Sequence, residues 1–301
     1  MSSQSSGVKN FTTPDFFSFK EAKKRIVMCT AYDYTQARLA EAAEVDVILV
    51  GDSLGMLSLG HGDTLSVTVE DMLRATAAVV KGAPNSYVVA DMPFMSYQPS
   101  FQEGMRSAAA LLAQGGASAI KVEGASPQAL SFMGSLVSAG IPVVGHLGLT
   151  PQSINVLGSY ATQAKRPEEM FDLMLAAHEV ASIGASAIVL ECVPAELAQE
   201  LSQSHALPII GIGSGIHCDG EVQVFHDLLG LGDFKPRHAK QFVDGAAVLG
   251  AALKQYVQEV RDLSFPGEEQ TVHVKQELLD EAVPAFVEYL FEEAQSRGLS
   301  D

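Results

Sequence analysis

Four short apolar runs in this chain each end on a carboxylate. Val47–Val50 passes through Gly51 into Asp52, Tyr87–Ala90 into Asp91, Ala119–Val122 into Glu123, and Ala187–Leu190 into Glu191. An apolar run of about four to eight residues reads as a buried strand, and an acid at its C-terminal end has just left the core. These runs belong to a longer series. Candidate strands at Ile26–Cys29, Val45–Val50, Tyr87–Ala90, Ala119–Val122, Val143–Leu147, Ala187–Leu190 and Pro208–Ile212, with a weaker eighth near Val222–Phe225, alternate with helical stretches. Those stretches fall at 34–43, 69–80, 101–114, 127–139, 167–183 and 195–204; Pro127 and Pro167 suit helix starts, and Gly115, Gly116, Gly140 and Gly184 suit helix ends. The alternation predicts an α/β protein, a (β/α)8 TIM barrel, with a doubly wound open sheet as the alternative. Barrels of this kind keep their chemistry at the C-terminal mouth, where the four acids would converge.

Two segments fall outside the alternation. Phe16–Arg25 reads as a helix before the first strand, closing the barrel bottom. Gln270–Arg297 carries Leu278, Leu279, Val283, Phe286, Val287, Leu290 and Phe291 as an amphipathic stripe, with Pro284 inside it to kink or split the helix. The organisation predicted is one barrel domain over 1–301, with 1–8 as a disordered tail and 267–301 as a C-terminal extension.

A net charge of −17 argues against nucleic acid as a partner, because phosphate backbones are held by clustered Lys and Arg. The sequence has neither an apolar stretch of membrane-spanning length nor a secretion-signal pattern, so a cytoplasmic protein is expected. Cys29, Cys192 and Cys218 lack metal-type spacing and read as reduced, buried thiols; Cys192 follows Glu191, which leaves a reactive role as its alternative.

Asp52, Asp91 and Glu123 end three successive strands, so their oxygens would meet at the mouth. Like charges so placed repel unless a cation sits among them, and hard carboxylate oxygens select Mg2+ or Mn2+. The alternative is that each acid caps the helix after it. Asp33 and Asp46 invite the same reading, Asp33 as a supporting residue rather than a ligand. Glu191, two strands beyond Glu123, is placed to work as a base, with Leu190 and Cys192 partly desolvating it and raising its pKa. Lys121, two residues before Glu123, shares its face of the strand. It would hold a substrate carboxylate or an enolate oxygen, or form a structural ion pair. His146 would face the barrel interior, as a core histidine or a hydrogen-bond partner of substrate. Gly211-Ile212-Gly213-Ser214-Gly215 lacks the dinucleotide fingerprint and suits either a tight turn or backbone amides approaching an anion.

Several ordered motifs together resemble the ketopantoate hydroxymethyltransferase family. They are Thr30-Ala31-Tyr32-Asp33, Val50-Gly51-Asp52-Ser53-Leu54-Gly55-Met56, Ala90-Asp91-Met92-Pro93-Phe94, Lys121-Val122-Glu123-Gly124, His146-Leu147-Gly148-Leu149-Thr150-Pro151-Gln152-Ser153 and Gly211-Ile212-Gly213. The resemblance runs from about Lys24 to Pro266. It implies a barrel of the phosphoenolpyruvate/pyruvate type, Mg2+ at Asp52, Asp91 and Glu123, 2-oxo acid contacts at Ser53 and Lys121, an active-site histidine at His146 and a catalytic base at Glu191. It implies hydroxymethyl transfer from 5,10-methylenetetrahydrofolate to 2-oxoisovalerate, in pantothenate synthesis, by a homodecamer. The chain departs from the family pattern at Gly158–Lys165, and from Gly267 onward it extends past the family's usual end. Two rivals remain: a Mg2+-dependent 2-oxo acid lyase or phosphonomutase, for which the expected Lys-Lys-Cys-Gly-type loop is missing, and a non-catalytic barrel.

Overall fold

The structure is a computed structural model that describes residues 11–232 and 235–297. The expected disordered tail, 1–8, lies outside the described residues. Eight strands close into one parallel barrel in sequence order: β1 Ile26–Thr30, β2 Val47–Val50, β3 Tyr87–Asp91, β4 Ala119–Glu123, β5 Val143–Gly148, β6 Ala187–Glu191, β7 Ile209–Ile212 and β8 Gly220–Gln223. The first and last strands pair through Ile26↔Gly220 to Cys29↔Gln223, which excludes the open sheet.

Side-chain alternation along each strand makes two cores. Ile26, Met28, Val47, Leu49, Tyr87, Val89, Ala119, Val144, Ala187, Val189, Ile210, Ile212 and Val222 fill the barrel interior. The alternate residues, among them Ile48, Val88, Ile120, Val143 and Ile188, pack outward against the helices. Continuing the inward parity by one or two positions brings Asp91, Lys121, Glu123, His146 and Glu191 to the mouth. The strand pattern therefore aims the site residues.

The helix before the barrel runs Thr13–Glu21, three residues ahead of its expected start. Its Phe16 is fully buried with the interior set, and Phe11 and Tyr87 meet it edge-on at ring-centroid distances of 4.9 and 5.5 Å. Lys20 Nζ donates to the carbonyls of Ser202 and Leu207 and pairs with Asp219 at 2.8 Å. These partners lie just before or near the starts of β7 and β8, so the helix closes the bottom as expected.

Two expectations need correcting. The eighth strand lies at Gly220–Gln223 rather than 222–225, and Phe225 begins the helix Phe225–Leu229. Glu221 and Gln223 alternate with Gly220 and Val222, leaving little apolar signal to mark this strand. Pro284 does not split the late helix, which is continuous over Gln276–Ser296; proline removes one donor, and the neighbouring turns carry on.

The chain divides into two compact units, one ending at Gly245 and one from Ala246. The second unit holds most of the helix Gly245–Arg261 and all of Gln276–Ser296, both with many exposed apolar side chains. Among the described residues no helix is long and apolar enough to cross a membrane.

Candidate active site

Strand register brings the mouth residues together in pairs. Asp91 stands opposite Lys121, and Glu123 opposite His146. Lys121 Nζ lies 3.0 Å from Asp91 Oδ1 and 3.2 Å from His146 Nδ1. The imidazole spans two acids: Nδ1 is 3.2 Å from Glu123 Oε1, and Nε2 is 3.2 Å from Glu191 Oε2. All but Glu191 are buried; its side chain is 16% exposed, so the acid expected as the base is the one open to an entering molecule.

Capping is excluded for the four strand-ending acids. The helices that follow β3 and β4 are capped by Ser100 and Ser126, whose hydroxyls accept from Glu103 N and Ala129 N, and those after β2 and β6 begin after Ser53 and Pro194 with no side-chain cap. Asp33, by contrast, is a cap: its Oδ1 accepts from Gln36 N at 2.8 Å. Asp46 accepts from Val27 N at the opposite end of the barrel. Ser53 lies beside Asp52, its Oγ 2.8 Å from the Tyr32 hydroxyl.

Gln152 and Tyr32 carry geometry that the strand pattern did not single out. Gln152 lies buried in a short turn after β5. Its Nε2 donates to Asp52 Oδ2 at 2.8 Å and to the Met92 carbonyl at 2.9 Å, while its backbone N–H donates to Glu123 Oε2 at 3.1 Å. Asp52 N–H in turn donates to Asp91 Oδ2 at 3.1 Å. Two glycines make room for this packing. Gly51 takes an inward position where a Cβ would stand 2.9 Å from Ser53 Oγ. Gly148, at φ +89°, lets the chain pass against the Glu191 carbonyl.

The charges do not balance within the protein. Burial and Lys121 oppose charging of His146, but Glu123 and Glu191 outweigh them and raise it to about 9. Burial works against the Lys121 ammonium as well, and Asp91, Glu123 and Asp52 more than compensate. Burial also opposes the Glu123 anion, yet His146, Lys121 and the Gln152 backbone N–H hold its pKa below the usual range. Asp52 is different. Burial, then Glu123 and Asp91, push it well above the ordinary value, and its side-chain partner is a neutral amide. Four carboxylates against Lys121 and His146 leave an excess of two negative charges, and a buried carboxylate in that position keeps a proton or takes a cation.

The residues present fit a divalent cation of the Mg2+ kind, in an open site. Among the described residues no three His, Cys, Asp or Glu side chains are grouped to enclose an ion by themselves. Glu123, expected as a third ligand, sets its oxygens against His146 and the Gln152 N–H, and Asp91 sets its own against Lys121 and the Asp52 N–H. Asp52, with one oxygen on the Gln152 side-chain amide, keeps the other, beside the shared oxygens of Asp91; Mg2+ is commonly held by one or two carboxylates with water and substrate oxygens filling the rest.

Around this centre, Cys192 is half-buried, with its thiol pushed up to about 11 by burial and by Glu191. Such a thiol is a poor nucleophile. Cys29 and Cys218 are buried and free. The segment Gly158–Lys165 reaches the site: Gln163 N–H donates to the Cys192 carbonyl at 2.8 Å. The Tyr160 hydroxyl there is shifted upward by burial and then by Asp63, Glu191 and Asp52. In the glycine-rich turn after β7, Gly213 at φ +67° has His238 packed against it, which accounts for the glycine as close packing.

Comparison with known proteins shows the family and the barrel. The sequence pattern of the family described as ketopantoate hydroxymethyltransferase matches residues 10–268. A 3-methyl-2-oxobutanoate hydroxymethyltransferase from Carboxydothermus hydrogenoformans is 47% identical over 270 residues, 89% of this chain and 98% of that protein. One of the same name from Bacillus cereus is 48% identical, over 88% of this chain and 96% of its own. Among solved structures, a phosphoenolpyruvate phosphomutase from Streptomyces platensis subsp. rosaceus superposes with a TM-score of 0.58 at 13% identity, covering 96% of this chain and all of that one. A phosphonopyruvate hydrolase in complex with oxalate and Mg2+ does so at 0.58 and 12%, covering 96% of this chain and 100% of the other. At such identities these structures speak for the barrel alone, whereas the sequence relatives share nearly their whole length with it. The chain belongs to the ketopantoate hydroxymethyltransferase family.

Proposed function

We propose that this chain transfers a one-carbon unit from 5,10-methylenetetrahydrofolate to C3 of 3-methyl-2-oxobutanoate, with water giving ketopantoate and tetrahydrofolate in pantothenate synthesis. One observation carries the chemistry: Glu191, the acid accessible at the mouth, is held through one oxygen by His146 and keeps the other for a proton. The 2-oxo acid has an acidic C–H next to its carbonyl, and a positioned carboxylate is the group to remove it. His146, charged at neutral pH, fixes the direction of Glu191 and keeps a positive charge beside it. Lys121 supplies a second fixed cation for the substrate carboxylate or for the negative charge that develops on the oxo oxygen. Ser53, braced by Tyr32, offers a hydroxyl at the same rim.

Asp52 and Asp91, with Glu123 beside them, would hold Mg2+ or Mn2+. When bound, the cation supplies Lewis-acid polarisation of the substrate carbonyl. The family relationship supports the donor and the pathway, and the three free thiols suit a reducing, cytoplasmic setting. The assembly proposed is a homodecamer; the numerous exposed apolar side chains on Gly245–Arg261 and Gln276–Ser296 support association.

The test is deuterium exchange at C3 of 3-methyl-2-oxobutanoate in D2O without folate. Glu191→Gln should bind the 2-oxo acid normally and exchange about a hundredfold or more slowly. Undiminished exchange excludes Glu191 as the base.

A further inference from the structure

We infer that Gln152 is the positioning residue of the cation site: its side-chain amide fixes the Asp52 carboxylate so that Oδ1 faces the mouth. The inference rests on the proposed reading of the mouth as a divalent-cation site. An amide nitrogen has two hydrogens, and here both are engaged. One goes to Asp52 Oδ2 at 2.8 Å and the other to the Met92 carbonyl at 2.9 Å. The second bond prevents the amide from turning over, because its oxygen would then face two acceptors. The first bond therefore has a fixed direction, and it occupies one Asp52 oxygen while leaving its partner for a ligand.

The backbone of the same residue does a related job one strand further round. Its N–H donates to Glu123 Oε2 at 3.1 Å, holding that carboxylate against His146 rather than against Asp52. One buried residue after β5 thus sets the directions of carboxylates from the ends of β2 and β4 and ties both to the carbonyl that follows β3. A neutral donor suits this place. A lysine or arginine would itself neutralise Asp52 and compete with an incoming cation, whereas an amide orients the carboxylate and leaves its charge in place.

The competing account is that Gln152 only ties loops together. Mn2+ affinity of the whole chain, measured by calorimetry and by electron spin resonance of the free ion, separates the two without reference to turnover. Gln152→Met keeps the volume and removes the amide; Gln152→Asn keeps the amide but shortens its reach, and serves if the first variant fails to fold. Tyr97→Phe is the matched control. It removes a different buried donor of this loop cluster, the hydroxyl donating to the Glu123 backbone carbonyl at 3.4 Å, without touching a carboxylate. The expected result is a loss of Mn2+ affinity of about tenfold or more in the folded Gln152 variants and none in Tyr97→Phe. Gln152 variants that bind Mn2+ like the unaltered chain, or a Tyr97→Phe loss of equal size, overturn the inference. An unaltered chain that binds no Mn2+ instead overturns the reading of the mouth on which it rests.

Discussion

His146 carries a charge because two carboxylates flank it, and that gives its stability contribution a definite pH window. Its pKa stands at about 9 in the folded chain against an ordinary 6.5. A raised pKa means the folded state holds the proton more tightly, so the stabilisation is complete below about 6.5 and disappears as pH climbs through about 9. Thermal melts of the unaltered chain and His146→Gln should therefore differ most at the acidic end and converge above pH 9. A gap that stays constant with pH would mean the histidine is neutral in the fold. The inward direction of Lys121, Glu123 and His146 was legible from two-residue parity once the strands had been found. Gln152 was not, although it lies within a quoted motif. Its position depends on a turn after β5 rather than on any repeat, and a neutral amide in a loop gives no sign of which acids it will meet.

At the level of elements, the ends of the barrel have separable jobs. Gly148 closes β5 opposite Glu191, in a left-handed conformation and against the Glu191 carbonyl. Gly148→Ala should cost on the order of 1–3 kcal/mol from backbone strain alone, and it should slow C3 proton exchange by shifting the strand end that carries the base. Exchange and melting temperature measured together check this; unchanged exchange would show that β6 holds Glu191 without help from β5. Phe16 at the other end plugs the interior without reaching the mouth. Phe16→Ala should lower stability by about 3–5 kcal/mol, read from denaturant melts, while the folded fraction keeps its Mn2+ affinity. Loss of affinity in that fraction would show that the bottom helix shapes the site after all. Apolar runs revealed seven strands because buried parallel strands are apolar on both faces. β8 was displaced in the sequence reading because Glu221 and Gln223 make its outward face polar. The unbroken course of Gln276–Ser296 through Pro284 was hidden for another reason: a local proline rule does not register how the turns on either side continue.

Across the whole molecule, the residues proposed for chemistry, from Asp52 to Glu191, belong to the unit that ends at Gly245. The family match stops at residue 268, before the helix Gln276–Ser296 begins. That helix has the composition of a surface that meets protein. Leu278, Leu279, Val283, Phe286, Val287, Tyr289, Leu290 and Phe291 are all exposed on it. The helix also carries Glu277, Asp280, Glu281, Glu288, Glu292 and Glu293 with no Lys or Arg between 276 and 296; Glu293 pairs with Arg297 at 2.7 Å just past its end. Apolar area of this extent is costly to leave in water, whereas none of these side chains resembles the paired, buried charges at the mouth. Ending the chain after residue 268 should consequently leave C3 proton exchange and Mn2+ affinity unchanged. It should also reduce binding of an apolar dye such as ANS at equal protein concentration. Circular dichroism would confirm that the shortened chain is folded. If it is folded and exchange is nevertheless lost, the appended helix belongs to the catalytic assembly, and the division between a barrel that does the chemistry and a segment that serves association fails.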